Sequence, residues 1–189
     1  YLFECSGYKQ NPTYKEYVEA SPKLVYIMKC IESVRNYHIA KKEEVSGQVI
    51  YMNYGVATFP LIRDYLVNEV GYELKEIGII SGSKNTIGKK KYPNKQSVAD
   101  AFLGIRFDEK NQKYVDVEDK DRVKVLIGTT SIKEGINLQN YGSVLYNAFV
   151  DYNPTDQVQV EGRIWRQGNK YDNVRIVIPL MEDSIDIFM

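Results

Sequence analysis

The chain has 189 residues, 43% hydrophobic and 26% charged, the proportions of one ordinary globular domain with a real core. Lys+Arg and Asp+Glu both number 25, which excludes the basic composition of a small obligate nucleic-acid binder and leaves any polyanion contact to a local patch. No apolar run reaches the ~18 residues of a membrane span and no signal peptide is visible, so a cytoplasmic setting without membrane contact is expected.

The beginning at Tyr1 and the apolar pattern just starting at 185–189 read as the ends of a piece of a longer protein. Cys5 and Cys30 are too few and too scattered for a metal site or a disulfide framework. Residues 13–37 have helical spacing interrupted at Ser21-Pro22, where Ser21 can cap a second helix and Pro22 can take its first position. Leu24, Ile27, Met28 and Ile31 then form an apolar stripe for packing. His38, near the end of this helix, has no catalytic partner in view and is assigned no role.

Strands are expected at 48–53, 76–80, 122–128, 143–148 and 173–180, most of them near-continuously apolar, as when both faces are covered. Helices are expected at 58–68, 94–103 and 155–167. That alternation predicts an α/β fold with a parallel sheet. Two stretches break it. Residues 81–95 carry Lys84, Lys89, Lys90, Lys91 and Lys95, with Lys89–Lys91 a candidate auxiliary patch. Residues 107–121 mix both charges like an exposed hairpin or loop insertion. Sixteen tyrosines form no base-stacking motif, and packing is their default role.

The segment with chemistry is 152–169. Asn153 can cap a helix, Pro154 suits its first position, Asp156 adds negative charge to the first turn, and Gly168 can end it. On a helix reaching Gln167, Gln159, Arg163 and Arg166 share one face. Two guanidinium groups there make an anion-binding surface, because they stay charged and match phosphate oxygens. The alternative is that Asp156 and Glu161 simply neutralise both arginines.

Gln159-x-x-Gly162-Arg163-x-x-Arg166-x-Gly168 resembles motif VI of superfamily-two helicases, with every fixed position filled. Upstream, 129–138 (TTSIKEGINL) resembles motif V. The Gly-Ile-Asn-Leu version, followed by a strand and Asn-Pro-x-Asp, is most similar to Swi/Snf-type ATPases. Residues 21–31 with 48–54 resemble the family's lead-in helix and motif IV, and 79–85 the strand and loop of motif IVa. The resemblance covers roughly 21 to 189, with 1–20 a lead-in segment. It departs from Swi/Snf proteins at Gly162, where they usually have Asp, and from many helicases at Asn137, where they have Asp.

This resemblance implies the C-terminal RecA-like lobe of a helicase or translocase: a parallel sheet of about five or six strands with helices on both faces. It implies Arg166 as arginine finger and Arg163 as a second γ-phosphate contact, with Gln159, Gly135 and Asn137 at the nucleotide side of the cleft. It also implies phosphate contacts from Ser81, Gly82, Ser83, Thr129 and Thr130 to nucleic acid, expected to be double-stranded DNA. The chain has no G-x-x-x-x-G-K-[ST] phosphate loop and no Asp-Glu pair ending an apolar strand. ATP with Mg2+ is therefore expected to be held mainly by an N-terminal RecA-like lobe outside this chain. An RNA helicase lobe is the nearest rival, although motif VI lacks the His-Arg start of the DEAD type. A non-catalytic interaction module is the other. A small-molecule α/β enzyme would need a dinucleotide turn or a nucleophile elbow, and neither is present. The divergence from the family pattern points to a phage, viral or bacterial source.

Overall fold

The computed structural model describes residues 11–82, 84–149 and 154–182. Cys5, Ser83, Asn153 and the closing apolar segment at 185–189 lie outside the described residues.

Thr13 caps helix α1 (Tyr14–Glu19) through a capping box with Glu16, and Ser21 caps α2 (Pro22–Lys41), its hydroxyl accepting from the Leu24 N–H at 3.4 Å. After them come β1 (Gly47–Tyr51), α3 (Phe59–Tyr65, continued by a π turn at Leu66–Val70), β2 (Ile77–Ser81), β3 (Lys84–Ile87) and β4 (Lys90–Tyr92). The second half holds α4 (Lys95–Leu103), β5 (Ile105–Asp108), β6 (Lys113–Asp116), β7 (Val125–Gly128), β8 (Gly142–Asn147), α5 (Pro154–Ile164) and β9 (Arg175–Val177).

Seven strands make one sheet in the order β4-β3-β2-β7-β1-β8-β9. The five from β2 to β9 run parallel, as their apolar runs predict, whereas β3 and β4 fold back antiparallel at the edge. The stretch 81–95, expected to interrupt the alternation, therefore widens the sheet. The stretch 107–121, read as a hairpin or a loop insertion, supplies most of the separate β5–β6 hairpin.

Each face of the sheet has its own core. Ile50, Met52, Ile79, Ile127 and Tyr146 pack against α1, α2 and α3. Val49, Tyr51, Leu126 and Leu145 pack on the other side against Phe102 of α4, Val160 and Ile164 of α5, and Ile132, Ile136 and Leu138 between β7 and β8. The described part of the lead-in segment, from residue 11, joins the first core: Val18 is fully buried, and Thr58 Oγ1 lies 2.7 Å from Tyr17 Oη. His38 is buried where α2 meets β1, with Nε2 3.1 Å from Ser46 Oγ and Nδ1 3.4 Å from Glu43 Oε2. That is a structural tie.

Candidate interlobe nucleotide and nucleic-acid surface

The C-terminal ends of parallel strands are where α/β sheets place their functional loops. In this chain β7 ends in Gly128, and the motif V segment follows at once. Thr129 caps a single 3-10 turn, Thr130–Ile132, by accepting from the Ser131 N–H. Ile132, Ile136 and Leu138 are buried under the segment, while Glu134, Gly135 and Asn137 stay exposed. Gly135 has φ +68°, and an added Cβ would touch nothing within 4 Å in this lobe. The local demand for glycine is therefore the left-handed backbone.

Val160 and Ile164, one turn apart, anchor α5 to the sheet. The helix ends at Ile164, not at Gln167 as its spacing predicts. Asn169 terminates it from outside: its Nδ2 donates to the Ile164 carbonyl at 3.2 Å and to the Gly142 carbonyl at 2.8 Å. Gly168, at φ +90°, lies four residues past the last helical residue. Gln159 and Arg163 are on the helix, but Arg166 is beyond it, so a shared helical face does not bring the three together.

The segment 129–138, which resembles motif V, does that for the two arginines. Arg163 Nε donates to the Lys133 carbonyl at 2.6 Å, and Arg166 Nη1 donates to Asn137 Oδ1 at 2.8 Å. Between them the Leu138 N–H donates to the Arg163 carbonyl at 3.0 Å. Asp156 and Glu161 are occupied elsewhere: Lys133 Nζ pairs with Asp156 at 2.6 Å, and Gln157 donates to Glu161 at 2.9 Å. Among the described residues neither arginine has a carboxylate partner. Both are positioned by neutral acceptors and keep their charge uncompensated. Gln159 stands exposed on the same helix.

The phosphate-contact candidates meet at one junction of turns. Gly82, at φ +48°, donates its N–H to Ser131 Oγ at 2.8 Å, and Thr129 Oγ1 lies 3.2 Å from the same hydroxyl. Ser81 is buried, with its hydroxyl donating to the Lys84 carbonyl at 3.1 Å, so it closes the β2–β3 turn. Thr130 is the exposed hydroxyl of the group.

Lys95 is a member that spacing alone does not reveal. At the start of α4, its ammonium donates to the carbonyls of Ser131 (3.0 Å) and Glu134 (2.7 Å), which clamps the motif V turn. The only hint in the sequence is Asn94, whose side chain caps α4 and so fixes where Lys95 begins. Asn147, at the end of β8, is also new: it is 1% exposed, and among the described residues neither amide atom has a hydrogen-bond partner.

A groove of about 600 Å3 runs elsewhere, along α2 and β8–β9 past Tyr37, His38, Ser143 and Arg175. The exposed arginine surface is open instead, which suits half of a cleft. Among the described residues no three His, Cys, Asp or Glu side chains gather as a metal site requires, and no helix is long and apolar enough to cross a membrane.

No curated protein matches the chain by sequence. Among solved structures, the crystal structure of the C-terminal part of the Fun30 ATPase domain is similar, with a TM-score of 0.62 at 18% identity. The similarity covers 98% of this chain and 49% of that one, so the chain spans about half of the protein it matches. At that identity the likeness establishes the fold, a RecA-like helicase C-terminal lobe. The model of the helicase conserved C-terminal domain matches residues 68–168, which is more than half of the chain and includes the segments 129–138 and 159–168. The chain belongs to the helicase conserved C-terminal domain family.

Proposed function

We propose that this lobe is the second half of an ATP-dependent motor on double-stranded DNA, closing with an N-terminal RecA-like lobe over ATP and Mg2+. One observation carries the reading. Arg163 and Arg166 are fixed by a carbonyl and an amide oxygen, and no carboxylate among the described residues neutralises them.

A guanidinium has five N–H donors, so Arg166 keeps donors in hand after its bond to Asn137. Charge on a transferred phosphoryl group is stabilised mainly by such preorganised donors, and an arginine finger contributes ~10³–10⁵-fold in related hydrolases. In this reading Arg166 is the finger, Arg163 a second γ-phosphate contact and Gln159 a link from nucleotide to cleft. Asn137 positions Arg166, and Gly135 lets the motif V backbone approach the other lobe. ATP supplies the phosphoryl group, and Mg2+ belongs with the first lobe. Thr130 and the turns at Gly82 and Thr129 suit phosphate positioning, which carries no base information. Ser81, whose hydroxyl closes the β2–β3 turn, belongs to the same group, and Ser83 is a further candidate from the resemblance.

In the protein carrying both lobes, Arg166→Ala lowers DNA-stimulated ATP turnover by ~10³-fold or more while DNA affinity is retained. Normal turnover in that variant removes Arg166 from the mechanism. The 189-residue chain alone has no helicase-rate ATPase activity, and measuring such a rate would contradict the half-site reading.

A further inference from the structure

The charge of this chain is neutral only in sum. Between Glu76 and Asp100 there are five lysines and no acidic residue. Residues 107–121, in contrast, hold six acidic residues and three lysines. The fold keeps these segments apart. The first forms the β3–β4 edge of the main sheet, while the second supplies most of the separate β5–β6 hairpin.

On the basic edge, Lys84, Lys89, Lys90 and Lys91 are all exposed, and among the described residues none has an ion-pair partner. Lys95 is different, being spent on the carbonyls of Ser131 and Glu134. Register pairs Thr86 with Lys91 and Ile87 with Lys90, so these two lysines leave opposite faces of the outermost strand. Lys84 opens β3 beside Gly82, whose N–H is bonded to the motif V turn. The lysines therefore run from the phosphate-contact junction around the free rim of the sheet. A row of ammonium groups without carboxylate partners along a sheet-edge hairpin suits a polyanion with regularly spaced charges.

We infer that the β3–β4 hairpin is a second nucleic-acid contact, which carries the phosphate backbone of double-stranded DNA past the motif V junction along the edge of the sheet. This rests on the reading of the lobe as a DNA-motor half. It adds a surface distinct from the arginines.

The test measures binding of the chain to a short fluorescent DNA duplex by anisotropy across a salt series. Three proteins are compared: wild type, the variant with Lys84, Lys89, Lys90 and Lys91 all changed to Gln, and a control with Lys110, Lys113 and Lys120 changed to Gln. The control removes three charges from the acidic hairpin region, so it separates local contact from net charge. Each phosphate contact contributes ~0.9 to the slope of log affinity against log salt, so the edge variant should be shallower by about 2 to 4. Its affinity at low salt should fall at least about tenfold, with the control close to wild type.

An edge variant with wild-type slope and affinity overturns the hairpin contact and leaves the motor reading standing. Wild type without salt-dependent duplex binding overturns the motor reading and this contact with it. If the edge variant self-associates in light scattering at unchanged DNA affinity, the lysines protect a bare edge strand and the contact is again overturned.

Discussion

Arg122 is 1% exposed, and its position is settled by residues around it. Its guanidinium pairs with Asp119 at 2.9 Å, donates to the Val45 carbonyl and lies 4.1 Å from the centroid of the Tyr141 ring. Lys124 adds bonds to Asp119 (3.1 Å) and Glu76 (2.7 Å). Burial acts against the Asp119 carboxylate, but hydrogen bonds and charge from Lys124 and Arg122 outweigh it and hold the pKa below the ordinary value. The folded pKa is then lower than the unfolded one. The resulting stability is present above the unfolded value of ~3.9 and is lost as pH falls through the folded value. Asp119→Asn leaves Arg122 buried without its carboxylate. Removing one partner of a buried pair costs ~3–5 kcal/mol, and because Asp119 is partly exposed, about 2 kcal/mol is expected at pH 7. In urea denaturation the gap between wild type and variant narrows as the pH drops below ~4. A gap of constant size across that range would show that Asp119 is not the titrating group. Nothing in the sequence singles out Arg122, whose burial depends on Val45 and Tyr141 from distant segments.

Elements differ in how plainly the sequence announces them. Strands β1, β2, β7 and β8 were legible because both their faces are covered, which writes a nearly unbroken apolar run. The cap at Ser21 was legible because capping is local chemistry, whereas Asn94, expected inside a helix at 94–103, turns out to be the cap of α4. Strands β3 and β4 were not legible, since KNTI and KKY have neither an apolar run nor a clear alternation; β3 pairs back on β2 through the turn at Gly82, and β4 pairs on β3. The end of α5 was missed for a related reason. Trp165, Arg166 and Gln167 tolerate a helix, and the residue that stops it, Asn169, does so by reaching across to Gly142. The pairing of Arg166 with Asn137 was likewise invisible, although both residues could be read as belonging to the site. Two glycines test this packing in opposite directions. At Gly142 an added Cβ would sit 2.7 Å from Ile164 Cγ1 and against the Leu138 carbonyl, so Gly142→Ala pushes α5 and the motif V segment off the sheet. Overpacking of this kind costs about 1–3 kcal/mol. At Gly162, inside α5, a Cβ meets nothing within 4 Å, and Gly162→Ala should stabilise by up to ~1 kcal/mol through helix propensity. Calorimetric melting should therefore shift down for the first and up for the second. Shifts of the same sign would mean that α5 is not docked through Ile164.

Across the whole molecule, stability and chemistry are kept apart. β7 lies between β2 and β1, and β1 between β7 and β8, so both are hydrogen-bonded on each side. Val49, Ile50, Val125, Leu126 and Ile127 are fully buried between two helical layers. The residues of the candidate site hang from the ends of these strands, on turns held by a handful of polar bonds such as those of Lys95, Ser131 and Asn137. The hairpins β3–β4 and β5–β6 lie further out, with mostly exposed or half-buried side chains. An opening that exposes an edge hairpin breaks few apolar contacts, whereas exposing β1 or β7 requires both cores to separate. Native-state hydrogen exchange should therefore show the slowest amides at 49–51 and 125–128, exchanging only by global unfolding. Amides of 84–92 and 105–116 should exchange through local openings that denaturant barely affects. The motif V turn at 129–135 should fall between, slowed by the Lys95 clamp, and Lys95→Met should speed its exchange without changing that of β7. If 129–135 exchanged at the same rate with and without the clamp, motif V would be held by its buried Ile132, Ile136 and Leu138 alone. Lys95 would then have no part in presenting Asn137 to Arg166.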